Sequence, residues 1–194
     1  MVTAVNKKVE ICSMKMDRAI LLNELAQQTR NVIGDVKEFK LMEDEKLNFK
    51  ENPDSWSVLE CIAHLVKFGE LYIREFEKSI SKADDAPGSD QFKSGFFGDL
   101  FAKKMQPGET KMKAPKSMQP AESNVNRDVL DKFLVQQEKW LSLIDAARSK
   151  DLNKIKVRLS IAQFVKFKLG DMFRVIVNHN RRHVEQGKRA LNAA

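Results

Sequence analysis

Histidine is scarce in this 194-residue chain, with three copies, and so are cysteine, with two, tryptophan, with two, and tyrosine, with one. Each scarcity narrows the field. Cys12 and Cys61 lie far apart without CxxC spacing, so neither a disulfide framework nor a zinc ribbon can be built from them, and a reduced intracellular protein is expected. No segment approaches the ~18 uninterrupted apolar residues of a membrane span. The opening MVTAVNKKVEICSMKMDRAI lacks both the apolar core and the small-residue cleavage pattern of a signal peptide. The chain is therefore expected to be soluble and cytoplasmic, with no membrane partner. Charge of one sign is not segregated: 34 Lys and Arg stand against 27 Asp and Glu, a formal +7, and the two signs interleave almost everywhere. The densest basic stretch, Lys103 to Lys116, holds prolines and a glycine but no aromatic residue, so no nucleic-acid partner is expected.

What is present is apolar periodicity. A chain of this length can bury roughly 70% of the surface its unfolded form exposes. From Met16 to Met42, Ile20, Leu21, Leu25, Val32, Ile33, Val36 and Phe39 recur mostly at three- and four-residue steps, which predicts an amphipathic helix weakened in mid-course by Gly34. The polar stretch that follows, with Pro53, reads as a connection. A second helix is predicted from SVLE to Ser81, because Ser57 and Glu60 have the spacing of a capping box. On it Cys61, His64, Leu65, Phe68 and Tyr72 share one stripe, and His64 faces inward.

Residues 82–124 are the least regular and hold four of the five prolines. Loops of this length are uncommon unless anchored or functional. The phenylalanines of DQFKSGFFGDLFAKKM suggest a short helix or an anchored cover over one end of the molecule. A third helix is predicted from Val125 to Lys150 on Val129, Leu130, Phe133, Leu134, Trp140, Leu141, Leu143 and Ile144. After it, KIKVRLSI alternates as a strand does, but a lone strand has no partner, so the segment is read as an extended loop. The last helix, Phe167 to Asn192, carries Met172, Ile176, His179 and His183 on one stripe, with Arg174, Lys188 and Arg189 on other faces. The expected fold is all-α, an up-and-down four-helix bundle in a single domain over 1–194, with residues 1–12 as a flexible lead-in and a long irregular loop between the second and third long helices.

All three histidines fall on inward stripes of two helices, which is the main functional signal. His179 and His183 are four apart, so a helix stacks them on one face within reach of one metal ion. In helical bundles metal sites are built from facing helices, which brings His64 against that pair. Three imidazoles hold zinc at about 2.0–2.1 Å and leave a position open for water or substrate. Among the neighbours, Glu60 reads as a helix cap, Trp56 as a packed residue at the start of the second helix, and Arg182 as a solvated surface residue. Cys61 reads as a small apolar residue that could approach the metal, and Gln186 as a group that could orient an imidazole ligand.

Three blocks resemble the DinB-like superfamily of bacterial metal-binding four-helix bundles: WSVLECIAHL from Trp56 to Leu65, KMKAPKSMQP from Lys111 to Pro120, and HNRRHVEQGKRAL from His179 to Leu191. The resemblance implies that His64, His179 and His183 are the metal ligands, since all three family positions are filled. It also implies that the chain is one of a set including thiol-dependent S-transferases, isomerases and hydrolases. A neutral three-histidine site suits zinc or nickel, although copper can outcompete both. The expected activity is metal-dependent transfer of a low-molecular-weight thiol to an electrophilic small molecule, or hydrolysis. The competing expectation is a non-enzymatic helical interaction protein with a structural or vestigial metal. Bundles of this kind pair through helix faces, so a homodimer is expected.

Overall fold

The computed structural model describes residues 14–108, 118–119, 124–159 and 162–194. The expected flexible lead-in at 1–12, and most of the KMKAPKSMQP block, lie outside the described residues. The described chain is mostly helical, in keeping with the all-α expectation, and adds two small antiparallel strand pairs.

Strand β1 (Lys15–Asp17) leads directly into α1 (Arg18–Phe39), whose start is fixed by Asp17 accepting a hydrogen bond from the Ile20 amide at 2.9 Å. Gly34 does not interrupt the helix. The polar connection contains one short helix, α2 (Asp44–Asn48), whose Leu47 is fully buried. Helix α3 (Val58–Ser81) begins where the capping box predicts. Ser57 Oγ accepts from the Glu60 amide at 3.2 Å, and the Ser57 amide donates to Glu60 Oε2 at 2.8 Å, so two orphan donors are satisfied reciprocally.

Strand β2 (Gln91–Lys93) pairs with β1, and α4 (Phe96–Lys104) follows it, so the phenylalanine-rich segment holds the short helix that its sequence suggests. Helix α5 (Asp128–Ala146) ends in a 3-10 turn at 147–149. The alternating KIKVRLSI is not an extended loop. Lys156–Leu159 forms β3 and pairs antiparallel with β4 (Ala162–Lys168), with a register irregularity at Arg158/Leu159. The partner strand is the segment AQFVKFK, which takes in Phe167 and Lys168, the expected first residues of the last helix. Val157 and Leu159 bury the inner face of the hairpin, which is what the two-residue period required. Helix α6 (Leu169–Asn192) therefore begins after β4.

Helix α3 packs on α5 and α6, and α1 packs on the same two helices. Two apolar clusters divide the interior. One gathers Tyr72, Phe76, Phe92, Trp140, Phe173 and their neighbours, and the other gathers Val36, Phe39, Leu59, Leu65, Phe133 and Val184 among others. On α6 the two histidines fall between Val177 of the first cluster and Val184 of the second, and on α3 His64 lies among residues of the second cluster.

Candidate metal centre

Helix α6 presents two adjacent stripes, and the step pattern of its sequence decides what each one meets. Met172, Ile176, His179 and His183 recur at steps of four, three and four, which keeps them on one face toward α3. Asp171, Arg174, Asn178 and Arg182 recur at three, four and four, one residue around the helix, and all four bind α4 or the residues just before it.

On the first stripe the three imidazoles converge, with one candidate ligand atom from each lying within 4.8 Å of the others. His64 Nε2 and His179 Nε2 stand 3.2 Å apart. A tetrahedral ion with nitrogen at about 2.05 Å sets its ligands roughly 3.3 Å apart, so this pair is already at ligand spacing. Two of the three tautomers are set by the protein. His64 Nδ1 lies 2.7 Å from the Met118 carbonyl, and His183 Nδ1 lies 3.0 Å from Gln186 Oε1. A carbonyl oxygen only accepts, so each Nδ1 carries the proton and each Nε2 keeps its lone pair free, as a metal ligand must. His179 Nδ1 is buried without a hydrogen-bond partner among the described residues, and its Nε2 is the nitrogen that meets His64.

The electrostatics agree with the geometry. Burial pushes His64 below its ordinary value, against the Met118 hydrogen bond, which acts in the other direction. Burial and then the neighbouring His183, His64 and Arg182 push His179 far down. Burial and His64 bring His183 to about 3 despite the opposing bond to Gln186. All three rings are therefore neutral at pH 7, the form that donates to a cation. The residues present fit a divalent ion of imidazole preference.

Aromatic rings wall this cluster. Trp56 stacks on His183 with ring centroids 5.6 Å apart and lies 5.1 Å from His64, and Phe68 lies 4.2 Å from His179. Trp56 is thus part of the site and not only a packing residue at the helix start. His64 and His179 are buried, and His183 is half-buried. Arg182 is not simply solvated, since its Nη1 donates to the Lys104 carbonyl at 2.7 Å at the end of α4.

The other sequence candidates sort cleanly. Gln186 orients His183, as its spacing suggested. Glu60 is committed as a cap, with one oxygen on the Ser57 amide and the other 3.1 Å from Lys50 Nζ. Cys61 is fully buried, and burial followed by the Glu60 charge pushes its thiol up, so it stays protonated at neutral pH. Among the described residues the converging group contains no cysteine and no carboxylate.

Sequence reasoning missed the second stripe. Arg174 Nη2 lies 2.8 Å from Asp99, and Arg174 Nη1 donates to Ser94 Oγ at 3.0 Å. Ser94 Oγ in turn donates to Asp171, which also accepts from the Gly95 amide at 2.9 Å. The two elements approach so closely here that a Cβ on Gly98 would stand 2.4 Å from Asp171 Oδ2. A glycine is required for that contact. The signal was an Asp–Arg pair three residues apart in an otherwise apolar helical turn.

A mostly helical chain whose only three histidines meet between two facing helices defines a class: a helical protein with a candidate three-imidazole metal centre. The family model of the DinB superfamily matches residues 22–186, a span that contains all three histidines, and the chain belongs to that superfamily. No curated protein and no solved structure matches it.

Proposed function

We propose that this chain is a divalent-metal-binding DinB protein in which His64, His179 and His183 hold one ion, with zinc or nickel the favoured occupants. The observation that carries the reading is the pair of outer hydrogen bonds, Met118 carbonyl to His64 and Gln186 to His183, which turn two Nε2 lone pairs toward a common point. We read the four long helices as the up-and-down four-helix bundle of the superfamily, in a single domain.

A bound ion of this kind supplies Lewis acidity that ionises a thiol or a water at neutral pH. The chain's own part is to fix two imidazole orientations, to keep all three rings neutral by burial, and to shield the cluster with Trp56 and Phe68. Half-buried His183 marks the side from which a small molecule reaches the site. The favoured activity is transfer of a low-molecular-weight thiol to an electrophile, or hydrolysis. Among the described residues no carboxylate joins the cluster, so the three imidazoles are the only titratable groups the chain places there.

The test is metal content per chain, measured by mass spectrometry on untagged protein for wild type and His179→Ala. About one ion per wild-type chain and none in the variant is expected, followed by a thiol and electrophile screen on the loaded protein. Equal metal in both would remove the site assignment. A second reading, a non-enzymatic interaction protein with a structural metal, is favoured by one observation: a cluster of exposed apolar side chains on α4 and β4. A loaded protein inert throughout the screen would favour it.

A further inference from the structure

Nine large hydrophobic side chains are exposed among the described residues, and five of them stand on two neighbouring elements. Phe96, Phe97 and Leu100 lie on α4, and Phe164 and Val165 lie on β4; the other four are scattered singly over the helical body. Helix α4 touches β4, where Phe101 and Phe167 bring their rings to 5.9 Å. Phe97 is one turn before Phe101 on its helix, and Val165 is two residues before Phe167 on its strand, so these two continue outward from this joint, while Phe164 stands in the bulge of β4 between the paired Ala162 and Lys166. Phe96 and Phe97 add an edge-on ring contact at 5.1 Å. Phe97 is 70% exposed and Phe164 fully so. Clustered apolar exposure of this kind marks a contact surface, whereas scattered exposure is ordinary.

Charge tells what the surface meets. Helix α4 carries Lys103 and Lys104, and β2 carries Lys93. The hairpin adds Lys156 and Arg158 on β3 and Lys166 and Lys168 on β4. Against these seven cations the four elements hold one carboxylate, Asp99, which is buried and paired with Arg174 and Lys103. Six of the chain's seven net positive charges therefore sit on β2, α4, β3 and β4, and the rest of the chain is almost neutral. The cations crowd one another: burial and then the nearby Lys168 hold Lys156 below its ordinary value.

We propose that this face docks on an anionic lipid surface, with the exposed phenylalanines and Leu100 entering the interface and the lysines meeting the headgroups. Among the described residues no helix is long and apolar enough to cross a membrane, and the proposed contact is a surface one that departs from the sequence expectation of no membrane partner. A single-stranded nucleic acid could stack on the phenylalanines but would leave Leu100 and Val165 exposed, whereas a lipid interface takes up aliphatic and aromatic groups alike. A second copy of the chain fits less well because two faces carrying six positive charges each would be brought together.

The test is vesicle flotation of the full chain with phosphatidylcholine alone and with about 30% phosphatidylglycerol added, at low and physiological salt. Wild type is expected to float with the anionic vesicles only, and less at the higher salt. The doublet Phe97→Asp/Phe164→Asp, and separately Lys104→Glu/Lys166→Glu, are expected to lose at least about tenfold in binding. Both pairs are exposed, and unchanged far-UV circular dichroism and metal content confirm intact folds. Failure of wild type to float with anionic vesicles at low salt overturns the proposal, as does flotation that neither doublet weakens. Binding to oligo(dT) in its place, or a wild-type dimer in light scattering that the phenylalanine doublet dissolves, assigns the face to those partners and overturns it equally.

Discussion

The two stripes of α6 are built from neighbouring residues of one helix, yet they solve opposite electrostatic problems. On the stripe facing α4, Arg174 meets Asp99 and lies 3.5 Å from Asp171, and the remaining acceptors take Ser94 and the Gly95 amide. Every charge there has a partner within the chain, so the network is closed and its work is attachment: it fixes α4 and the strand before it onto the helix. On the stripe facing α3, three neutral rings each bring a ligand nitrogen within 4.8 Å of the others, and His64 and His183 keep the Nε2 lone pair free. That arrangement is open. A closed buried network is sensitive to losing a member, because a charge is then stranded in low dielectric, whereas an open one is sensitive to its ligand.

The contrast predicts a crossed pattern. The largest effect on metal binding is expected from His183→Ala, which should abolish stoichiometric zinc binding while leaving helicity by circular dichroism unchanged. Wild type should then gain about 2.7 kcal/mol of stability at a zinc concentration 100 times its Kd, and the variant nothing, in paired denaturant titrations. A variant that still shows the zinc-dependent gain would break the comparison. Next is Arg174→Met, which leaves Asp99 with Lys103 alone and Asp171 without its guanidinium neighbour, and is expected to cost up to about 3–5 kcal/mol in urea unfolding while leaving zinc affinity of the folded protein within about twofold. A large loss of zinc affinity in that variant would mean that the two stripes are coupled and not separable.

Much of this was legible in the sequence, and the reasons differ by element. The long helices were readable because their apolar spacing is strong, and the start of α3 was placed to the residue because Ser57 and Glu60 carry the cap in their own side chains. The histidines were readable for the same reason, since α3 and α6 are regular enough that residue number gives direction. The β1–β2 pair was not readable: Met16 faces Phe92 across a long separation in sequence, and nothing local announces the pairing. The β3–β4 hairpin is half visible: KIKVRLSI alternates as a strand does, but nothing local marks AQFVKFK as its partner. The Met118 carbonyl that orients His64 was hidden for a deeper reason. A backbone acceptor has no residue signature, so only the fold reveals which one is used. The concentration of positive charge on four elements was likewise invisible while the helices and strands were unassigned, because along the sequence the same lysines alternate with apolar residues and look dispersed.

Two smaller effects sharpen the contrast. Gln186→Leu removes the oxygen that holds His183 Nδ1–H and frees the ring to adopt the other tautomer, so zinc affinity should fall about 10- to 100-fold in competition with a chromogenic chelator, with stoichiometry unchanged. No change in affinity would mean that the half-buried ring orients without its partner.

The smallest effect concerns acid stability, because the two carboxylates of the closed network act in opposite directions. Burial raises Asp99, but hydrogen bonds from Lys103 and Arg174 outweigh it and hold the carboxyl below its ordinary value. Asp171 is raised, since burial outweighs Ser94, the Gly95 amide and Arg174. A depressed carboxyl contributes stability that is present above its unfolded pKa and is lost as pH falls through the folded value. A raised one does the reverse: the native state takes up the proton first, so between its ordinary and raised values stability rises as pH falls. Asp171 should therefore soften acid unfolding just above the ordinary carboxylate range, and Asp99 should steepen it below that range. Chemical denaturation at a series of pH values from neutral downward is expected to show Asp99→Asn flattening the lower limb, with the upper limb unchanged. The opposite change, an altered slope above the ordinary carboxylate range with the lower limb intact, would assign the network's titration to Asp171 alone.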